Sequence, residues 1–286
     1  MPYKHIFWDM DGVMIPGRGT THMANGYEAW PAPFKSRFLE ECGGLGALQH
    51  VKAEELESGF RDWETQYNGG RPISTIGQLG TCLTDLRHKL KVFKSAKETT
   101  YTKNAILHGM TLNEVLLVSN VIPYIDGVEA SIEAFRKAGL QQYLFTSANE
   151  ALAASVAWKF GFQHCEGARP RVVLPDGQKV IYDSSKPFPL AARLSGEMEE
   201  YGDKLGRILK FAETNHIDFR ESAAIDDTDI KLLEGLKARG SLALGFYNIS
   251  DRDMSPKHRE QMAARGIRVL ENDVSQFANI VLGRTG

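Results

Sequence analysis

Asp9-Met10-Asp11-Gly12-Val13 sets two carboxylates two residues apart at the abrupt end of a short apolar run, His5-Ile6-Phe7-Trp8. On a fully extended segment these side chains would point to opposite sides. If the chain turns after Asp9, both face one pocket. Carboxylates brought together repel and raise each other's pKa unless a cation neutralises them. Magnesium suits such a group, because it takes oxygen ligands and keeps several waters. The same residues also fit a plain acidic turn, with Gly12 chosen for its backbone freedom.

Stepping out from the carboxylates, the elements around them read as an α/β fold. The run before Asp9 is apolar on both faces, as in a strand buried within a helix-covered sheet. The same pattern recurs at Tyr143-Leu144-Phe145, Ala223-Ala224-Ile225, Leu242-Ala243-Leu244 and Ile267-Arg268-Val269-Leu270. Between these runs, helical periodicity covers 128–137, 204–212 and 230–239, with Gly139 and Gly240 at natural helix stops. Short strands alternating with helices imply a mostly parallel, Rossmann-like sheet, whose strand ends open onto a ligand crevice. Residues 17–115 differ: helical patterns near 33–41, 53–67 and 79–93 predict a helical domain inserted after the first strand. That leaves 1–16 and 116–286 as the core. A hairpin is expected where Arg171-Val172-Val173-Leu174 meets Lys179-Val180-Ile181-Tyr182 across Pro175-Asp176-Gly177-Gln178.

Asp9-x-Asp11 at the end of a first strand resembles the first motif of the haloacid dehalogenase superfamily. Later segments follow that family's order. Thr146-Ser147 ends the Tyr143-Leu144-Phe145 run, Lys204 opens a helix, and Asp226-Asp227-Thr228 ends the Ala223-Ala224-Ile225 run. The resemblance implies a catalytic core with a cap domain at 17–115. It implies Asp9 as the nucleophile that takes up a phosphoryl group and Asp11 as general acid and base. Thr146, with Ser147 beside it, would bind a phosphoryl oxygen, and Lys204 would offset negative charge. Mg²⁺ would sit between Asp9, the main-chain carbonyl of Asp11 and a carboxylate of the last motif. Alignment of the strand end favours Asp227 there, with Asp226 as second choice. Asp229 fits equally well as a carboxylate at a helix start. Lys186-Pro187-Phe188-Pro189 is a rival for the lysine, but Lys204 has the better spacing.

The second carboxylate, Asp11, separates the chain from dehalogenases and favours a phosphatase of a small phosphorylated metabolite, closest in layout to the phosphoserine phosphatase branch. Phosphoserine itself is less well matched, since Gly12-Val13 and Thr146-Ser147-Ala148 depart from that branch. The alternatives are a phosphomutase, or a non-catalytic protein that binds a phosphorylated ligand on the same fold. Arg18, His22 and Arg71 are candidates for substrate contacts from the cap.

Composition narrows the field without naming a function. The chain has 286 residues, 42% hydrophobic and 24% charged, with 34 Lys and Arg against 36 Asp and Glu, a formal net charge of −2. That balance supplies no bulk basic field for nucleic acid or an anionic membrane. No apolar run reaches the ~20 residues of a spanning helix, and no secretory signal pattern is present. Three scattered cysteines, Cys42, Cys82 and Cys165, read as reduced thiols of a cytoplasmic protein. Oligomeric state is left open.

Overall fold

The computed structural model describes residues 2–16, 53–71, 109–199, 201–248 and 256–284. Its centre is a six-stranded sheet in the order β3-β2-β1-β7-β8-β9, every neighbouring pair parallel. These strands are β1 (His5–Trp8), β2 (Gln141–Asn149), β3 (His164–Ala168), β7 (Ser222–Asp226), β8 (Leu242–Tyr247) and β9 (Arg268–Glu271). A second, antiparallel sheet of order β5-β4-β6 lies between β3 and β7 in the chain. It contains β4 (Pro170–Val173), β5 (Lys179–Ile181) and β6 (Arg193–Met198).

The helices are α1 (Ala53–Tyr67), α2 (Leu112–Val121), α3 (Val128–Lys137), α4 (Glu150–Phe160), α5 (Lys204–Thr214), α6 (Ile230–Lys237), α7 (Pro256–Ala264) and α8 (Ser275–Leu282). Alternation along the strands divides the apolar side chains between two cores. Ile6, Trp8, Leu144, Ala223, Ile225 and Leu244 pack with α3, α4 and α8. Phe7, Tyr143, Phe145, Ala224 and Ala243 pack with α5, α6 and α7. The sheet is therefore covered on both faces, which is why its strands read as continuous apolar runs. Among the described residues, no helix is long and apolar enough to cross a membrane.

The expected strands and helices 128–137, 204–212 and 230–239 are present, with ends shifted by one to a few residues. The first coincides with α3, and Gly139 follows it at φ 77°. Of the three helices expected in the insertion, 53–67 is α1; those near 33–41 and 79–93 lie outside the described residues, as do Cys42 and Cys82. Cys165 is a free thiol. The hairpin forms as β4 and β5, joined through a turn at Gly177. Its third strand, β6, is not evident in the sequence. It pairs with the chain entering α2: Leu194 donates to Met110 O at 2.8 Å, and Gly109 and Leu112 donate to Leu194 O and Ala192 O.

One aromatic cluster anchors β1 to its helical cover. Trp8 meets Phe277 edge-on at 5.3 Å between centroids, and Phe135 meets Phe277 at 5.3 Å. The indole nitrogen donates to Gln142 Oε1 at 3.1 Å, so its polar edge is satisfied inside the core. Phe277 is fully buried. Phe277→Ala should destabilise the core by about 3–5 kcal/mol, because the cavity lies between two rings that cannot collapse into it. Urea unfolding followed by tryptophan fluorescence measures this, and a loss under about 1 kcal/mol would contradict the packing argument.

Candidate active site

The sheet itself brings the carboxylates together. Trp8 is in register with Ile225, and Asp9 N donates to Ile225 O at 3.1 Å, so Asp9 and Asp226 emerge side by side from adjacent parallel strands. The chain then turns at once. Val13, Met14 and Ile15 all donate to Met10 O, and Gly12 donates back to Ile15 O at 2.9 Å. The chain thus turns directly after Asp9; Asp11 is partly exposed, and its charge acts on the Asp9 carboxyl. Gly12 has φ 78°, and a Cβ placed there would lie 2.1 Å from Asp227 Oδ2. Glycine is required at this position twice over, for its conformation and for the approach of that carboxylate.

Lys204, the first residue of α5, completes the group. Its Nζ lies 2.7 Å from Asp226 Oδ2 and 3.0 Å from Asp9 Oδ1, with all three side chains buried. Burial alone would lower the Lys204 pKa, but Asp226 and Asp9 outweigh it and hold the ammonium firmly protonated. Asp226 is fully engaged: Oδ1 accepts the amides of Thr228 at 3.0 Å and Asp229 at 2.7 Å, and Oδ2 accepts Lys204. Among the described residues, Asp227 accepts only the Thr228 hydroxyl, on Oδ1 at 3.1 Å. Asp229 caps α6 through Leu232 N at 2.9 Å.

One oxygen from each of Asp9, Asp226 and Asp227 lies within 4.8 Å of the others. Three buried carboxylates thus face one ammonium. Burial raises the Asp9 carboxyl to about 7; Lys204 opposes that shift, while Asp226 and Asp11 add to it. Burial, then Asp9 and Asp226, pushes Asp227 well above the usual carboxylate range. An all-oxygen donor set with surplus negative charge, one member of which keeps unoccupied lone pairs among the described residues, fits a hard divalent cation.

The other sequence candidates are distributed as follows. Thr146 is fully buried and its hydroxyl accepts Ala148 N at 3.1 Å. Strand β2 does not stop at Phe145; it continues to Asn149 with an irregular register against β3. Ser147 is exposed. Arg71 is exposed beyond α1, its guanidinium turned back on Asn68 O at 3.4 Å. Lys186 is paired with Asp183 at 3.3 Å in the loop after β5, so of the two lysines only Lys204 reaches the carboxylates. Arg18 and His22 lie outside the described residues. Three residues beside the site escape sequence reasoning: Glu166 on β3, Arg207 on α5 and Tyr201 just before α5. Arg207 pairs with Glu166 and donates to Tyr201 O at 2.7 Å. The available signal was the i,i+3 spacing of Lys204 and Arg207, which puts two cations on one helix face.

Two outcomes follow from this geometry. Gly12→Ala should cost about 1–3 kcal/mol of stability, from the left-handed backbone and the displaced Asp227 carboxylate; urea unfolding reads it, and a neutral result would refute the close approach. The second concerns pH. Asp9 has a folded-state pKa near 7, above its unfolded value, so its contribution to stability is present at acid pH and lost as pH rises from about 4 to 7. With divalent metal chelated, the Tm of the protein relative to Asp9→Asn should fall across that interval, and added Mg²⁺ should restore it most at the upper end. A constant Tm difference would contradict this assignment.

Comparison with known proteins agrees with the fold. A family model described as haloacid dehalogenase-like hydrolase matches residues 3–228, a span that contains Asp9, Asp11, Thr146, Lys204, Asp226 and Asp227. No curated protein matches the chain. Among solved structures, a phospho-aspartyl intermediate analogue of phosphoserine phosphatase superposes with TM-score 0.51 at 14% identity, covering 97% of this chain and 98% of that one. A substrate-bound phosphoserine phosphatase complex gives 0.52 at 14% identity over the same shares. A protein of unknown function from Bordetella pertussis Tohama I gives 0.52 at 16% identity, covering 94% and 98%. At these identities the structures share the fold. The family model spans most of the chain and all of its clustered carboxylates, and the chain belongs to the haloacid dehalogenase-like hydrolases.

Proposed function

We propose that the protein is a Mg²⁺-dependent phosphatase that hydrolyses a small phosphorylated metabolite through an aspartyl-phosphate on Asp9. The observation that carries this reading is the buried Lys204 ammonium, held between Asp9 and Asp226 at the mouth of the parallel sheet. A carboxylate attacking an anionic phosphoryl group must overcome like-charge repulsion. A protonated lysine fixed against the nucleophile lowers that cost without reorganising.

Asp9, Asp227 and the main-chain carbonyl of Asp11 are the groups that would hold the cation. Bound there, it would further neutralise the phosphoryl oxygens and keep Asp9 ionised near neutrality. Asp226, with both oxygens committed to amides and to Lys204, fits the role of fixing the lysine better than that of a direct ligand. In the first step the Asp9 carboxylate forms an O–P bond while the bond from phosphorus to the leaving oxygen breaks. Asp11 donates its proton to that oxygen. In the second step Asp11, now a carboxylate, takes a proton from water as the water oxygen attacks phosphorus and releases Asp9 and inorganic phosphate. Thr146, within β2, would bind a phosphoryl oxygen. The cap domain expected at 17–115 would exclude water and select the organic part of the substrate.

Purified protein with MgCl₂ should release phosphate from p-nitrophenyl phosphate and from members of a panel of sugar, amino-acid and nucleotide phosphates. Asp9→Asn should lower that rate by about 10⁴-fold or more, and Asp11→Asn by about 10²–10⁴-fold. Chelation with EDTA should abolish the activity and MgCl₂ restore it. Activity that survives in Asp9→Asn, or is indifferent to EDTA, would sink the mechanism. Isomerisation of a sugar phosphate with little phosphate release would assign a mutase in its place.

A further inference from the structure

Tyr201 lies just ahead of α5, three residues before Lys204, and only 6% of its surface is exposed. Its backbone and ring are both held by Arg207: the carbonyl accepts Arg207 Nε at 2.7 Å, and the guanidinium carbon sits 4.5 Å from the ring centroid. Arg207 is itself pinned to Glu166 on β3. The sheet register aligns these groups. Glu166 pairs with Phe145, and Trp8 with Leu144, so Glu166, Phe145 and Asp9 form one row across three strands, facing α5. Lys204 reaches the Asp9 end of that row and Arg207, one turn on, reaches the Glu166 end.

The phenolic oxygen of Tyr201 is shut off from solvent and has no hydrogen-bond partner among the described residues. Buried donors of this kind are rare and destabilising, and each calls for an explanation. Packing supplies none, because a phenylalanine would give the same ring and the same stack on Arg207. The charges of Glu166, Lys204, Arg207 and Asp9 all act on the hydroxyl. Burial raises its pKa, so it remains a neutral O–H donor. What it lacks is an acceptor.

We propose that Tyr201 is a ligand-binding residue whose hydroxyl donates to an oxygen of the phosphoryl group bound beside Asp9 and Lys204. This rests on reading the site as a phosphoryl-transfer site. Stacking on Arg207 holds the ring in place before the ligand arrives, so little ordering cost is left for binding. The unsatisfied donor is then a deficit of the empty protein that a phosphoryl oxygen removes.

The test is titration of inorganic phosphate into the full-length protein in MgCl₂ by calorimetry, comparing wild type with Tyr201→Phe, alongside thermal unfolding of both without phosphate. The expected result is a loss of phosphate affinity of about tenfold, as for a hydrogen bond to a charged acceptor, with Tm unchanged or raised. Equal affinity in the two proteins would overturn the proposal. So would a lower Tm in Tyr201→Phe, which would mean that the hydroxyl serves the fold. Failure of wild type to bind phosphate would remove the phosphoryl-site reading and this inference together. Phosphate binding and Asp9-dependent turnover that are both insensitive to Tyr201→Phe would refute the inference alone.

Discussion

A single ammonium set among three buried carboxylates is the interaction on which the rest of this structure depends. Removing Lys204 would leave Asp9, Asp226 and Asp227 facing one another without the ammonium that now pairs with Asp9 and Asp226, and uncompensated buried charge is among the most costly features a fold can contain. Several otherwise separate features serve that one contact. The parallel pairing of β1 with β7 sets Asp9 beside Asp226. The start of α5 delivers the lysine where it can touch both. The turn at Met10–Ile15 and the bare Gly12 admit Asp227 from the third side. The backbone amides of Thr228 and Asp229 hold Asp226 still, so the lysine has a fixed seat.

The two faces of the sheet have different duties. The face under α3, α4 and α8 is a dry aromatic and aliphatic core centred on Trp8. The other face is apolar beneath α5, α6 and α7 and becomes polar towards the carboxyl ends of its strands, where Asp9, Glu166 and Asp226 appear. Helix α5 spans that transition. Ile208 and Ala212 bury themselves in the core, while Lys204 and Arg207 neutralise the charged edge. One helix therefore couples the packing of the fold to the electrostatics of the site.

Much of this was legible in the sequence, for physical reasons that differ from residue to residue. Helices α3, α5 and α6 each present one apolar stripe, so their periodicity betrayed them; α4, Glu-Ala-Leu-Ala-Ala-Ser-Val-Ala-Trp-Lys-Phe, is apolar on most sides and has no clear period. Strand β6 contains Gly196 and charged residues, and its partners, β4 and the Gly109–Asn113 segment, are remote in the chain. The motif carboxylates and Lys204 stood out by type and spacing. The unequal circumstances of Asp226 and Asp227 did not. They are adjacent residues of one type, and only the folded backbone reveals that amides and a lysine occupy Asp226, whereas among the described residues Asp227 meets only the Thr228 hydroxyl. Glu166, Arg207 and Tyr201 were hidden because their association depends on strand register and a helix crossing, neither of which leaves a local signature.

The position of β1 has a consequence for how the chain acquires its structure. This strand comes before the other five strands of its sheet in the chain, yet it lies in the middle of the sheet, with His5 flanked by Gln141 on one side and by Ser222 on the other. It cannot be fully paired until β7 has been synthesised. Such non-local closure makes for slow folding and leaves an apolar segment unprotected meanwhile. Ile6-Phe7-Trp8 stays an unpaired apolar segment until β7 is complete, and that pairing is also what sets Asp9 beside Asp226 in the carboxylate cluster.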